Sequence, residues 1–357
     1  MAGAAQQGNR LTEGPVLQSL WRLATPIVLA NILQSAYQLT DTFWLGRLGG
    51  EAVAAVSVSF PLIFLLFALG GGFAIAGSTM VAQFTGAGDG HMVNRVAGQT
   101  LILIAFFALL LSTLGHLSAP RLLELMRVEE GVREGALSYL RVTFSGVIFM
   151  FGYFMYQSIM RGLGEVRVPL FIVLGTVLLN LVLDPLFIFG WGPVPAMGVA
   201  GAAWATVGTQ SLAMAIGMAL LFGGRYRERY GISWEAGIFR PDWPLIKKVV
   251  AMALPASLEQ STRALGISVM IFLVASFGTV TLAVYGIGTR IMSFVIIPGL
   301  GLSVATSTLV GQNLGAGQPG RAVEVARLSA WVGFWALSIV GLACFVGISS
   351  DDRPCHD

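Results

Sequence analysis

The sequence predicts an all-α, polytopic membrane fold. Three observations carry that prediction: apolar runs long enough to cross a bilayer, a scarcity of charge, and an internal repeat at one offset. Hydrophobic residues make up 55% of the 357 and charged residues 11%, with a mean hydropathy of +0.78. A soluble domain carries about a quarter charged residues, because its surface must face water. The charges here are gathered in short clusters between runs such as 96–114 and 168–190. Runs of about 20 residues match a hydrocarbon core of about 30 Å at about 1.5 Å per helical residue. They show no strict alternation, which argues against a β-barrel.

Nine spans follow in order: 17–46, 52–80, 93–116, 134–159, 168–190, 198–223, 246–277, 281–310 and 323–348. Their connections are short. The exceptions are 224–245 and 117–133, the latter with the alternating charges Arg121, Glu124, Arg127, Glu129, Glu130 and Arg133. The polar tail 1–16 does not resemble a cleavable signal, since the first apolar segment is too long for a signal core. Cys344 and Cys355 imply no disulfide framework or metal cluster. The net charge of +3 is a topology signal, with no nucleic-acid partner implied. With the amino end placed in the cytoplasm, inner segments hold thirteen Lys and Arg and outer segments five. That bias puts the amino end inside.

Sliding the chain by 229 residues lays Pro26 on Pro255, Gly49 on Gly278 and Ala54 on Ala283. The same shift lays Gln83, Gly86, Ala87 and Gly88 on Gln312, Gly315, Ala316 and Gly317. Six spans separate equivalent positions, so both copies point the same way. The expected architecture is two six-helix bundles related by a pseudo-two-fold axis along the membrane normal. The boundaries are a bundle at 17–224, a cytoplasmic linker at 225–245, a partial bundle of three helices at 246–348, and an atypical tail at 349–357. Asp357 corresponds to Val128, so counterparts of the fourth to sixth spans are missing from this sequence. A C-terminally truncated second bundle is therefore the expectation.

Ionisable side chains inside a membrane are functional candidates because their burial is costly. Asp41 and Asp184 each lie six residues before the outer end of an outward-running span, at Arg47 and Gly190. Both should sit at one depth, roughly 9 Å below the outer boundary. Two acids there can share a proton or a sodium ion if their helices face each other, and they would titrate as a pair. Asn31, Gln34, Gln38 and Asp41 form a polar stripe at 3–4 spacing, with Tyr37 beside it. Thr176, Asn180 and Asp184 form a second. Tyr139, Thr143, Tyr153 and Gln157 add polar groups from the fourth span, and Thr206 from the sixth. Pro26 and Pro185 each remove a backbone hydrogen bond inside a span, giving either a static kink or a hinge. Met270 lies where the second copy would place an acid matching Asp41, while Glu259 and Arg263 are spaced for an ion pair within one helix. Arg290 either anchors packing or faces the central cavity. The Gly-Ala-Gly segments lack the spacing of a phosphate loop and read as tight turns. Cys, His and acidic residues form no catalytic constellation, so no enzyme is expected.

Several strings now fit a known pattern. ATPIVLANILQSAYQLTDTFWLGRLGGEAVAAVS at 24–57, VAQFTGAGD near Gln83, YGIGTRI at 285–291 and LVGQNLGAGQPGRA near Gln312 occur in order. They resemble the multidrug and toxic compound extrusion (MATE) family, and the first-bundle polar pattern looks most like its DinF-like and archaeal branch. The resemblance implies twelve helices in two bundles. It also implies an antiporter of the cell membrane, expected as a monomer, that exports small organic, often cationic, compounds against H⁺ or Na⁺ without a cofactor. By the same resemblance Asp41, Asn180 and Asp184 form the cation site, the only place where a metal ion (Na⁺) is implied. Gln34 and Tyr37 line the adjoining cavity, with a looser match at Gln157 and Thr206, and Pro26 is the candidate hinge. A flippase of lipid-linked precursors, from a related fold, is the alternative; its cavity would be more cationic. An inactive truncated product is a further alternative.

Overall fold

The computed structural model describes residues 11–126, 128–224, 226, 230, 232–233, 236–275 and 277–349. Residues 1–10, part of the 225–245 linker and the tail 350–357, including Cys355, lie outside the described residues. So do the side chains of Arg290 and Cys344. Nine long α-helices make up the described fold: α1 (Val16–Leu48), α2 (Gly50–Gly86), α3 (Gly90–Leu125), α4 (Glu130–Gly162), α5 (Arg167–Phe189), α6 (Val199–Leu221), α7 (Trp243–Ala275), α8 (Thr279–Gly315) and α9 (Pro319–Ser349). A short 3-10 turn, Ala236–Phe239, precedes α7. Among the described residues the β-structure is one isolated bridge, Trp191 to Val194. Seven helices, α1–α6 and α9, are long and apolar enough there to cross a membrane.

The helices outrun the apolar runs that announced them. The connection expected at 117–133 is mostly helix, because α3 continues to Leu125 and α4 starts at Glu130. Hydropathy marks where a helix leaves hydrocarbon, whereas backbone hydrogen bonding continues into water until a cap or turn stops it. At the other end of α3, Asp89 is that cap, its Oδ1 accepting from Met92 N at 3.0 Å.

Helix α4 is the centre of the first six helices and packs against α2, α3 and α6. Its large side chains Tyr153, Tyr156, Met155, Ile159 and Met160 are buried. Helix α1 serves two clusters. Leu20, Leu23, Ala24 and Ile27 pack with Ala305 and Leu309 of α8, while Leu45 belongs to the core of the first six helices. Pro26 sits at the end of the segment facing α8.

The 229-residue offset recurs in the backbone. Helices α2 and α8 begin and end at equivalent residues, Gly50 with Thr279 and Gly86 with Gly315. Each is closed by the same turn, in which Ala87 N donates to Gln83 O and Ala316 N to Gln312 O. Gly88 (φ 72°) and Gly317 (φ 70°) then take the left-handed conformation that other residues disfavour. The tertiary contacts are reciprocal as well. Gly86 lies against the Gln312 carbonyl and Gly315 against the Gln83 carbonyl, each so closely that a Cβ would collide. Ala82 meets Gly311, its own counterpart. Further along, Gly72 of α2 approaches Ser257 of α7, and Gly301 of α8 approaches Val28 of α1, again 229 residues apart on both sides.

One contact recurs with different side chains: Arg321 of α9 donates to the Gly14 carbonyl just before α1 at 2.8 Å. The segment before α7 is clasped to α3, where Gln99 Nε2 donates to the carbonyls of Ile238 and Arg240, both at 2.8 Å. Gln99 Oε1 accepts from Asp242 N at 3.0 Å. Arg95 pairs with Asp242 at 2.9 Å, and Asp242 also caps α7 through Leu245 N at 3.2 Å. Asn94 and Ser233 exchange two further bonds at 3.2 Å.

Candidate cation-coupling site

The polar stripe of α1 turns toward α4, α5 and α6 beyond Pro26. Asp41 from α1 and Asp184 from α5 lie side by side, their carboxylates within hydrogen-bonding reach once one carries a proton. They meet although their distances to the helix ends differ, Asp41 lying seven residues before Leu48 and Asp184 five before Phe189. Asn180, one turn before Asp184, donates from Nδ2 to Asp184 Oδ1 at 2.8 Å. Asn180 and Asp184 are both fully buried.

Beside the carboxylates is a cavity of about 240 Å³. Gln34, Tyr37, Gln38, Asp41, Tyr139 and Thr206 contribute its polar wall, and Phe67, Met150 and Phe154 part of its apolar wall. Tyr37 donates to Thr206 Oγ1 at 3.0 Å and its hydroxyl also approaches Thr209 Oγ1 at 3.5 Å. That fixes α1 against α6 one turn from Asp41. Gln157 is not among the residues lining this cavity; its Oε1 accepts from Arg161 Nη1 at 3.3 Å. Pro26 and Pro185 both lie within continuous helices.

The electrostatics are one-sided. Asp41 Oδ1, Asp184 Oδ2 and Asn180 Oδ1 are buried and have no hydrogen-bond partner among the described residues. All three are acceptors, so what would satisfy them is a proton or a cation, since native proteins seldom leave buried polar atoms unpaired. Oxygen-only ligation by carboxylate and amide suits a hard cation. A fourth such atom, Gln210 Oε1, belongs to a residue on the cavity wall. Sequence reasoning missed Gln210, although it follows Thr206 by four residues and shares its helix face.

A helical fold with seven of its described helices fit to cross a membrane, and with a partly buried acid on the wall of an internal cavity, is of the membrane-transporter class. The chain belongs to the MatE family, whose sequence pattern matches residues 26–186 and again 255–349. The two matches start 229 residues apart, at Pro26 and Pro255. The chain is 30% identical to the probable multidrug resistance protein YoeA of Bacillus subtilis (strain 168), over 88% of this chain and 69% of that protein. It is 29% identical to the FAD transporter of Shewanella oneidensis MR-1, over 89% of this chain and 70% of that protein. A solved outward-facing multidrug resistance MATE family transporter of the MOP superfamily superposes with a TM-score of 0.84 at 27% identity, covering 96% of this chain and 73% of that one. Members of the family are multi-pass membrane transporters, not enzymes, and use ion gradients without a cofactor.

Proposed function

We propose that this chain is a secondary antiporter of the cell membrane that exports small organic, often cationic, compounds in exchange for H⁺ or Na⁺. Asp41, Asn180 and Asp184 bind the coupling ion, and Gln34, Tyr37 and Thr206 line the compartment the exported compound shares with it. The carrying observation is the set of three buried acceptor oxygens without donors. An inward-moving cation would satisfy them. Its binding would change the charge next to the cavity and so weaken the hold on a cationic passenger. In this reading Pro26 is the hinge, because α1 packs against α8 up to Val28, just past it, and against the first six helices further along.

The finer topology belongs to the same proposal: nine spans with the amino end in the cytoplasm, from the bias of Lys and Arg. Two bundles about a pseudo-two-fold axis are supported by the reciprocal contacts of α2 and α8. The polar pattern of α1 supports assignment to the DinF-like branch, and the protein is expected to act as a monomer. Export of a cationic dye from cells producing Asp41→Asn or Asp184→Asn is the test. Loss of pH- or Na⁺-dependent export supports the site; undiminished, still cation-dependent export overturns it.

A further inference from the structure

The coupling site occupies one end of the first six helices. About 21 to 33 Å along α4 from Tyr139, Tyr153, Gln157 and Arg161 recur at four-residue spacing on one face. Arg161 Nη1 donates to Gln157 Oε1. Among the described residues that is the only hydrogen bond of this guanidinium, and no carboxylate pairs with it. The next acid along the chain, Glu165, meets Tyr230 at 3.4 Å instead. Tyr153 is 1% exposed, and its hydroxyl, beside the Gln157 amide and within electrostatic reach of Arg161, forms no hydrogen bond of good geometry among the described residues. Tyr156, stacked on it at 6.1 Å, is likewise fully buried with an unpartnered hydroxyl.

The chemistry here is the complement of the coupling site. A guanidinium is always charged and offers five N–H donors, and leaving such a charge half-buried without a partner is costly. Gln157 presents its oxygen to Arg161, which leaves its amide nitrogen to donate. Tyr153 adds an unused O–H. Donors therefore converge at this end of α4, as bare acceptors converge at the other. A planar or tetrahedral oxyanion accepts two parallel bonds from an arginine fork.

We propose that Arg161, with Gln157 and Tyr153 beside it, binds an oxyanion, a phosphate or carboxylate group, at the end of the first six helices remote from Asp41 and Asp184. The assignment stands whether or not those acids carry the coupling ion. The oxyanion can come from a water-borne ligand or from a lipid headgroup, and the two sources are separable.

Inorganic phosphate is titrated against the purified chain in nanodiscs of phosphatidylcholine alone, with ³¹P line broadening as the readout. Nanodiscs containing phosphatidylglycerol are compared in parallel by thermal melting. Arg161→Gln should weaken phosphate binding about tenfold or more, and Tyr153→Phe by a few-fold. Arg161→Lys, which keeps the charge but not the fork, should fall between native and Arg161→Gln. Arg167→Gln, at an exposed arginine, should leave binding unchanged. Stabilisation by phosphatidylglycerol that depends on Arg161, without phosphate binding, identifies the headgroup as the source and also supports the site. Equal losses in Arg161→Gln and Arg167→Gln, or no Arg161-dependent response to either probe, overturn it.

Discussion

The helix pairs α1–α2 and α7–α8 share a backbone and differ in chemistry. Both pairs run 33 and then 37 residues, carry a proline in the first helix, and end in the same glycine turn. They touch each other reciprocally. Yet the first copy has Asp41 where the second has Met270, and its third helix has Arg95 and Gln99 where α9 has Glu324 and Leu328. Repetition has preserved how the helices cross, and left free the polar residues at the acid pair and at the linker. Contact geometry is shared between the copies; site chemistry is not.

The largest expected effect comes from exchanging that chemistry. Asp41→Asn should reduce cation-coupled export about tenfold or more, as loss of a metal-site partner commonly does. Adding Met270→Asp should not restore it, since α7 packs against α2, α3 and α8, away from Asp184 on α5. Rescue in a dye-export assay would show that the two copies are interchangeable after all.

Next come the crossings. Gly86→Ala and Gly315→Ala each drive a Cβ into a backbone carbonyl, so both should cost about 1–3 kcal/mol and lower the melting temperature equally. Gly72→Ala meets backbone atoms of Ser257 and Ala253, whereas the nearest atom to Gly301 is a methyl of Val28. Thermal melting should therefore rank Gly72→Ala as more damaging than Gly301→Ala. Equal shifts at 72 and 301 with unequal shifts at 86 and 315 would invert the comparison.

A more local effect, of no greater size, is expected where the copies differ in side chain. Gln99→Ala removes three hydrogen bonds from a buried side chain and should cost about 1–3 kcal/mol. Hydrogen exchange should rise in residues 236–242, whereas Leu328→Ala should leave that segment unchanged. The smallest effect belongs to Glu259→Gln. The pair of Glu259 with Arg263 spans 3.2 Å with both side chains more than half exposed, and such pairs contribute about 0–1 kcal/mol. A melting shift as large as that of Gln99→Ala would mean this pair does more than bridge one turn.

Much of this was legible in the sequence. Identical residues at one offset disclosed the paired helices, because the close crossing at Gly86 and Gly315 tolerates no side chain. The nearness of Asp41 to Asp184 was legible through depth, since the sequence places both acids near the same end of their spans, although the observed helices end seven and five residues beyond them. The ends of α3 and α4 were not legible, because hydropathy stops at the edge of hydrocarbon and the helix does not. Nor was the destination of Gln157. Its polar neighbours on α4 recur from Tyr139 and Thr143 to Tyr153 and Arg161, with Val147 and Met150 between, and spacing along one helix cannot tell which neighbour captures a side chain.

The contact of Ala82 with Gly311 has a consequence of another kind. When residue i meets j and the counterpart of j meets the counterpart of i, the interface has the form of an isologous contact between two identical subunits. Helices α2 and α8 meet in that form within one chain. Positions near the line where each residue faces its own counterpart cannot drift independently, since a gain of volume at 82 must be matched by space at 311. Substitutions there should be tolerated in pairs, a small residue on one side allowing a larger one on the other, just as they are across the two-fold of a homodimer.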